Sequence, residues 1–324
     1  MRHLIILGIA LFSILIGCEE GTSNKINNQK NDAIVSTEKT SNQDEYIIEQ
    51  TTENGQTLRI FSAYEYVQEY VKKAEKTDEL SEQKKLWDNI VMDHIQESCL
   101  SGEHSHLVKE YVSTPPKELN KVKDDITILR ASEPEKTALE ALEKSADALQ
   151  GQDTTVCILP RGNLDYGGVN VGAGKVSVFY FPQFSKERLK QTVAHEYHHS
   201  VWTEKIARNY EWDLLGSIIF EGKAEYFASL LYGEPVVKTY HMDDEQEKQL
   251  WNRVKDSLGS TEDDLVNTVL YGDGNEFPYS FGYITGYHIV RDYVENHPET
   301  TVEEWTKLTP EVLYDKSGYE ESLK

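Results

Sequence analysis

The sequence predicts an α+β fold, predominantly helical, with a small mixed β-sheet. Three observations lead there. Segments before residue 150 and after residue 185 repeat apolar residues at helical spacing. Between them, residues 154–159 (TTVCIL) and 176–181 (VSVFYF) are rich in β-branched and aromatic residues, which suit strands. A glycine-rich passage, residues 167–174, joins those two runs and reads as tight turns or close backbone approach.

The chain has 324 residues, enough to bury a core as one large domain or two small ones. Hydrophobic residues make up 38% and charged residues 27%, the balance of a globular protein. Lys and Arg total 33 against 56 Asp and Glu, a formal charge of -23. That charge argues against a nucleic-acid partner, because phosphate binding needs a basic face.

Taken in order, Met1-Arg2-His3 gives a short basic start, and residues 4–16 are an apolar run too short for a comfortable membrane span. The run ends in Leu15-Ile16-Gly17-Cys18, which looks like a bacterial lipobox. The expectation is a lipoprotein signal peptide over residues 1–17 and a lipid on Cys18 that holds the protein on the extracytoplasmic face of the membrane. A plain cleaved signal peptide is the alternative. After the anchoring Cys18, residues 19–44 are mostly polar and are expected as a disordered tether, so that 18–44 form the anchor segment. Cys99 and Cys157 either pair in the oxidising space outside the cell or stay as two buried thiols.

Residues 45–324 are expected as a single domain, with a helical part over 45–150 and a motif-bearing core over 151–324. Residues 58–61 suggest a short strand. Helices are expected over 64–74, 81–98 and 103–112, the last stopped by Pro115-Pro116. Ser132 with Glu135 three residues on has the form of a capping box opening a helix to Leu149. After the strands, helices are expected over 186–205, 213–232, 245–258 and 282–295, with Ser185 capping the first and Asp243-Asp244-Glu245 suiting the N-terminus of the third.

The chemistry concentrates in His195-Glu196-Tyr197-His198-His199, an H-E-x-x-H sequence. Residues four apart share a helix face, so His195 and His199 can grip one ion. Zinc suits two imidazoles and an open position, and Glu196 stands beside that position as a general base. Leu189, Val193, Tyr197 and Val201 form the apolar stripe of the same helix, away from the two His. The second signal is Phe220-Glu221-Gly222-Lys223-Ala224-Glu225 on a strongly apolar helix. Two carboxylates there are costly to bury without a cation. Glu221 is read as the third metal ligand, and Glu225 as the partner that holds a ligating His in one tautomer. A solvated acidic stripe is the alternative.

The order His195-Glu196-x-x-His199, then Glu221-Gly222-x-Ala224-Glu225, resembles the gluzincin layout of thermolysin-like peptidases. It is closer to the bacterial family of predicted Zn-dependent proteases that includes the YjaZ-type proteins. The later block Gly282-Tyr283-Ile284-Thr285-Gly286-Tyr287-His288-Ile289-Val290 matches that family as well. The resemblance covers about residues 103–324. It implies a zincin-like metallopeptidase fold, a Zn2+ cofactor, a peptide or protein substrate, and hydrolysis by water that gives its proton to Glu196. It also implies an edge strand, here residues 176–181, lying beside the motif helix to pair with extended substrate. The oxyanion donor would come from Tyr283, Tyr287 or His288, with Tyr283 first; these tyrosines equally fit a packed core.

A rival reading is a zinc-binding lipoprotein or interaction module without catalysis, whose closed site would need a fourth ligand, His198 or His288. His104 and His106 read as surface residues.

Overall fold

The strands are β1 (Ile47–Thr51), β2 (Thr57–Phe61), β3 (Thr154–Pro160), β4 (Gly168–Gly172) and β5 (Lys175–Tyr180). They form one open mixed sheet in the order β1-β2-β3-β5-β4. β1 pairs antiparallel with β2, β2 and β3 run parallel, β3 and β5 run parallel, and β4 returns antiparallel to β5. The computed structural model describes residues 45–162, 167–181, 183–206, 210, 212–233 and 242–323. The expected signal peptide, Cys18 and the expected tether lie outside these residues. No described helix is long and apolar enough to cross a membrane.

The helices before β3 are α1 (Tyr64–Ala74), α2 (Leu80–Trp87), α3 (Asp93–Cys99), α4 (His106–Val112), α5 (Leu119–Ala131) and α6 (Pro134–Ala148). Those after β5 are α7 (Lys186–Lys205), α8 (Leu214–Tyr232), α9 (Asp244–Val254), α10 (Asp263–Tyr271), α11 (Phe281–Asn296), α12 (Val302–Lys307), α13 (Pro310–Ser317) and α14 (Tyr319–Ser322). The helix expected over 81–98 is one helical run whose middle residues, Asp88–Met92, wind as π turns. Asp243 caps α9 by accepting the Gln246 N–H at 2.8 Å.

Several expectations change. Most of the glycine-rich passage is a strand, β4, with all five residues buried, while Ala173 and Gly174 (φ 70°) make the expected tight turn and Gly168 and Gly172 the expected close approaches. Its register shift between Asn170 and Gly172 is a β-bulge or irregularity. β5 is therefore interior, and the edge strand beside the motif helix is β4. Ser132 and Glu135 form no capping box. Glu133, in the left-handed region at φ 49°, precedes the helix, while Ser132 Oγ donates back to Leu129 O at 2.7 Å. Glu135 instead accepts the hydroxyls of Ser62 and Tyr64, at 2.8 and 2.7 Å, so tertiary partners displace the local cap. The helices α5 and α10 were not expected; each buries a short apolar stripe, Val122, Ile126 and Leu129 in the first, Val266, Val269 and Leu270 in the second.

The buried apolar side chains form one contiguous cluster drawn from both sides of residue 150. Cys99, at the end of α3, is bonded to Cys157 of β3, with their Cα atoms 5.7 Å apart. This disulfide ties the helical layer to the middle of the sheet.

Candidate metal centre

The helix α7 begins where Ser185 accepts the Arg188 N–H at 3.1 Å. Leu189, Val193, Tyr197 and Val201 are almost fully buried. Tyr197 fixes the rotation of the helix further, donating its hydroxyl to Leu149 O at 2.8 Å. With that stripe turned to the core, His195, Glu196 and His199 face the cavity described below. The helix α8 is capped by Asp213, which accepts the Gly216 N–H at 2.7 Å. It crosses α11 where Gly222 meets Gly286; a Cβ on either glycine would run into the backbone of the other helix. That backbone contact seats Glu221 opposite the two His.

His195 Nε2 lies 3.2 Å from Glu221 Oε2, His199 Nε2 lies 3.1 Å from the same oxygen, and the two imidazole nitrogens are 2.9 Å apart. These three atoms are the ligand group that could hold a metal ion among the described residues, and all three residues are buried. Their separations approach the edge of about 3.3 Å in a tetrahedron with metal–ligand bonds near 2.05 Å. Three lone pairs converging in a buried place demand a positive charge between them. The donor set therefore fits a divalent ion that accepts imidazole and carboxylate together.

Glu225 Oε1 stands 3.1 Å from His195 Nδ1. A proton on Nδ1 points the Nε2 lone pair at the triad. His199 is oriented by its ring, which stacks on Phe220 at 3.8 Å. Burial works against charge on His195, but hydrogen bonds to Glu221 and Glu225 outweigh it and hold the imidazole well above its ordinary value. Burial pushes His199 down to about 4. Burial opposes ionisation of Glu221 too, yet the facing imidazoles hold it at about 2, so it stays a carboxylate.

Glu196 is not part of the triad. Burial, opposed by the charge of His195, pushes its carboxyl up to about 7, and the backbone N–H of Asn170 donates to it. Gly168 leaves room for it: a Cβ there would come within 2.6 Å of Thr192 Cγ2 and 2.9 Å of Glu196 Cγ. Glycine in β4 thus lets the sheet edge lie directly on the motif helix.

The triad and Glu196 open into a cavity of about 330 Å³ with mainly apolar walls, among them Leu107, Val169, Trp212, Phe220, Val266 and Leu270. Three buried polar atoms in its lining, Tyr271 Oη, Tyr283 Oη and Asn267 Oδ1, have no hydrogen-bond partner of regular geometry. The Tyr283 ring stacks 6.3 Å from His195 and lies 6.1 Å from the Tyr271 ring. Burial and the Glu221 charge raise both phenols well above their ordinary value, so both keep their protons.

The structure thus brings together His195, Glu196, His199, Glu221, Glu225 and Tyr283. It does not bring His198, His288 or Tyr287 to the centre. His198 Nε2 lies 3.2 Å from Thr306 Oγ1, His288 Nδ1 lies 2.8 Å from Glu247 Oε2, and Tyr287 packs beside Tyr226. His104 and His106, expected at the surface, line the cavity. Tyr271 and Asn267 were missed because α10 was not read as a helix; their spacing of four residues was the available signal.

No curated protein and no solved structure matches the chain. Residues 135–315 match a family model described as predicted Zn-dependent protease (DUF2268), and they contain the whole triad, Glu196, Glu225, Tyr271 and Tyr283. That match covers more than half of the chain, and the chain belongs to this family of predicted Zn-dependent proteases.

Proposed function

We propose that this chain is a zinc metallopeptidase, exported and held by a lipid on Cys18 at the outer face of a bacterial membrane. The observation that carries the chemistry is the convergence of His195, His199 and Glu221 beside a separate buried carboxyl, Glu196. Zinc held by the three residues supplies Lewis acidity, polarising a carbonyl and lowering the pKa of water toward about 7. Glu196 takes the proton of the attacking water and passes it to the leaving amine. Tyr283 and Tyr271 donate hydrogen bonds to the carbonyl oxygen as it gains charge, and keep their protons. Glu225 holds His195 in the tautomer whose Nε2 is free. Residues 45–324 act as one catalytic domain, and the tether carries it clear of the membrane to peptides or proteins outside.

The test is metal content and cleavage of an unfolded protein by residues 45–324, beside Glu196→Gln and Glu221→Ala. The reading expects about one zinc per chain, retained but inactive in Glu196→Gln and lost in Glu221→Ala. Wild-type turnover in Glu196→Gln would overturn the role of Glu196. Zinc binding without cleavage would favour a zinc-binding lipoprotein.

A further inference from the structure

The outer edge of β4 is closed just beyond the proposed catalytic centre. A Cβ on Gly168 would come within 2.9 Å of Glu196 Cγ and 3.1 Å of Glu196 Oε1, which places that centre against the strand at Gly168. Further along the strand the Val171 carbonyl accepts the backbone N–H of His104 at 2.9 Å. Gly102 lies so near that a Cβ on it would run into the same carbonyl. Glu103 Oε2 accepts the Ala173 N–H at 3.1 Å. His104 Nε2 lies 3.3 Å from Thr203 Oγ1 on α7, and Thr203 donates to Asn170 Oδ1 at 3.1 Å. The disulfide fixes Cys99, just ahead of this segment, to β3. Residues 102–106 therefore form a pinned wall. They precede the span that matches the family model.

An extended peptide that binds by adding a strand to β4 meets a carbonyl already taken at Val171 and can pair only with the residues before it. Antiparallel pairing is the more stable arrangement, so the peptide runs opposite to β4 and points its amino end at the wall. From Gly168, which lies against Glu196, to Val171 is three residues of strand, roughly 10 Å of rise, and that sets the length of extended chain that fits before the wall. We propose that the chain is an aminopeptidase, acting on peptides whose free amino terminus lies one to three residues from the bond that is cut. The inference rests on the peptidase reading above. Each turnover adds one water across that bond: the carbonyl carbon gains the oxygen, the C–N bond breaks, and the proton taken by Glu196 goes to the new amine. The formal charge of -23 favours the approach of an ammonium end.

The experiment uses the zinc-loaded protein and one heptapeptide in free-amine and N-acetylated forms, with products identified by mass over time. The expected result is stepwise loss from the amino end, with acetylation lowering kcat/KM by about 100-fold because the added group meets the wall. Internal cleavage of the acetylated peptide at a rate within about threefold of the free peptide, or loss from the carboxyl end, would overturn the proposal and leave the peptidase reading intact. A second readout needs no turnover: calorimetry with phosphinic pseudopeptides, free and acetylated, which copy the tetrahedral centre. The free form is expected to bind at least about tenfold more tightly; equal affinities overturn the wall. Binding of neither form by a protein that holds zinc overturns both the peptidase reading and this inference.

Discussion

Glu225 Oε1 sits 3.1 Å from His195 Nδ1, and Glu221 Oε2 sits 3.2 Å from the other nitrogen of the same ring. One imidazole is thus held between two carboxylates one helical turn apart. Glu225→Gln should weaken zinc binding by about 10- to 100-fold while leaving the fold in place. Chelator competition followed by circular dichroism measures both. Unchanged affinity would remove Glu225 from the centre.

Tyr271→Phe deletes one hydroxyl and keeps the packed ring. If that hydroxyl meets the carbonyl oxygen, kcat should fall by roughly 100- to 1,000-fold, the range spanned by loss of a single oxyanion donor. Zinc content and Tm should not move. The double variant with Tyr283→Phe should lose more than either alone. A kcat within about twofold of wild type would leave Tyr271 as a wall residue only.

The Cys99–Cys157 bond closes a stretch of 58 residues. Reduction should lower stability by about 2–5 kcal/mol, since the unfolded chain regains the freedom the loop had removed. Urea titrations with and without reductant give the difference. Equal midpoints would refute a net stabilisation by this bond.

Outside the metal centre, Tyr319 donates its hydroxyl to Glu247 Oε1 at 2.7 Å, and burial with that carboxylate raises the phenol well above its ordinary value. The folded chain keeps this proton where the unfolded chain releases it near pH 10. The stabilisation is complete below that pH and declines as pH rises through it, because the unfolded state then binds fewer protons than the native one. Tyr319→Phe should flatten the alkaline loss by up to about 1.4 kcal/mol per pH unit above pH 10. Urea midpoints between pH 8 and pH 11 test the sign; an unchanged slope would refute it.

The parts of this centre that were legible in the sequence are those set by helical spacing. His195 with His199, and Glu221 with Glu225, are each four apart, so one turn of helix brings each pair together whatever surrounds it. The rest depends on tertiary contact. Glycine carries no side-chain pattern, so β4 looked like turns, although Gly168 lies against Glu196 because it lacks a Cβ. Tyr271 reaches the cavity through a close α10–α11 approach, where a Cβ on Gly282 would come within 2.7 Å of Leu270 Cα. Glu135 left its expected cap for Ser62 and Tyr64, residues that no local window contains.

The Gly222–Gly286 crossing has a bearing on how such a centre could be moved or inherited. Because two backbones touch there, the place of Glu221 is referenced to main chain and not to the shape of neighbouring side chains. Core residues around the crossing can drift in size over generations while the ligand stays where it is. A graft of His195, Glu196, His199 and Glu221 onto another helical scaffold would have to carry the two glycines as well, since any side chain between the helices would pull the third ligand away from the other two.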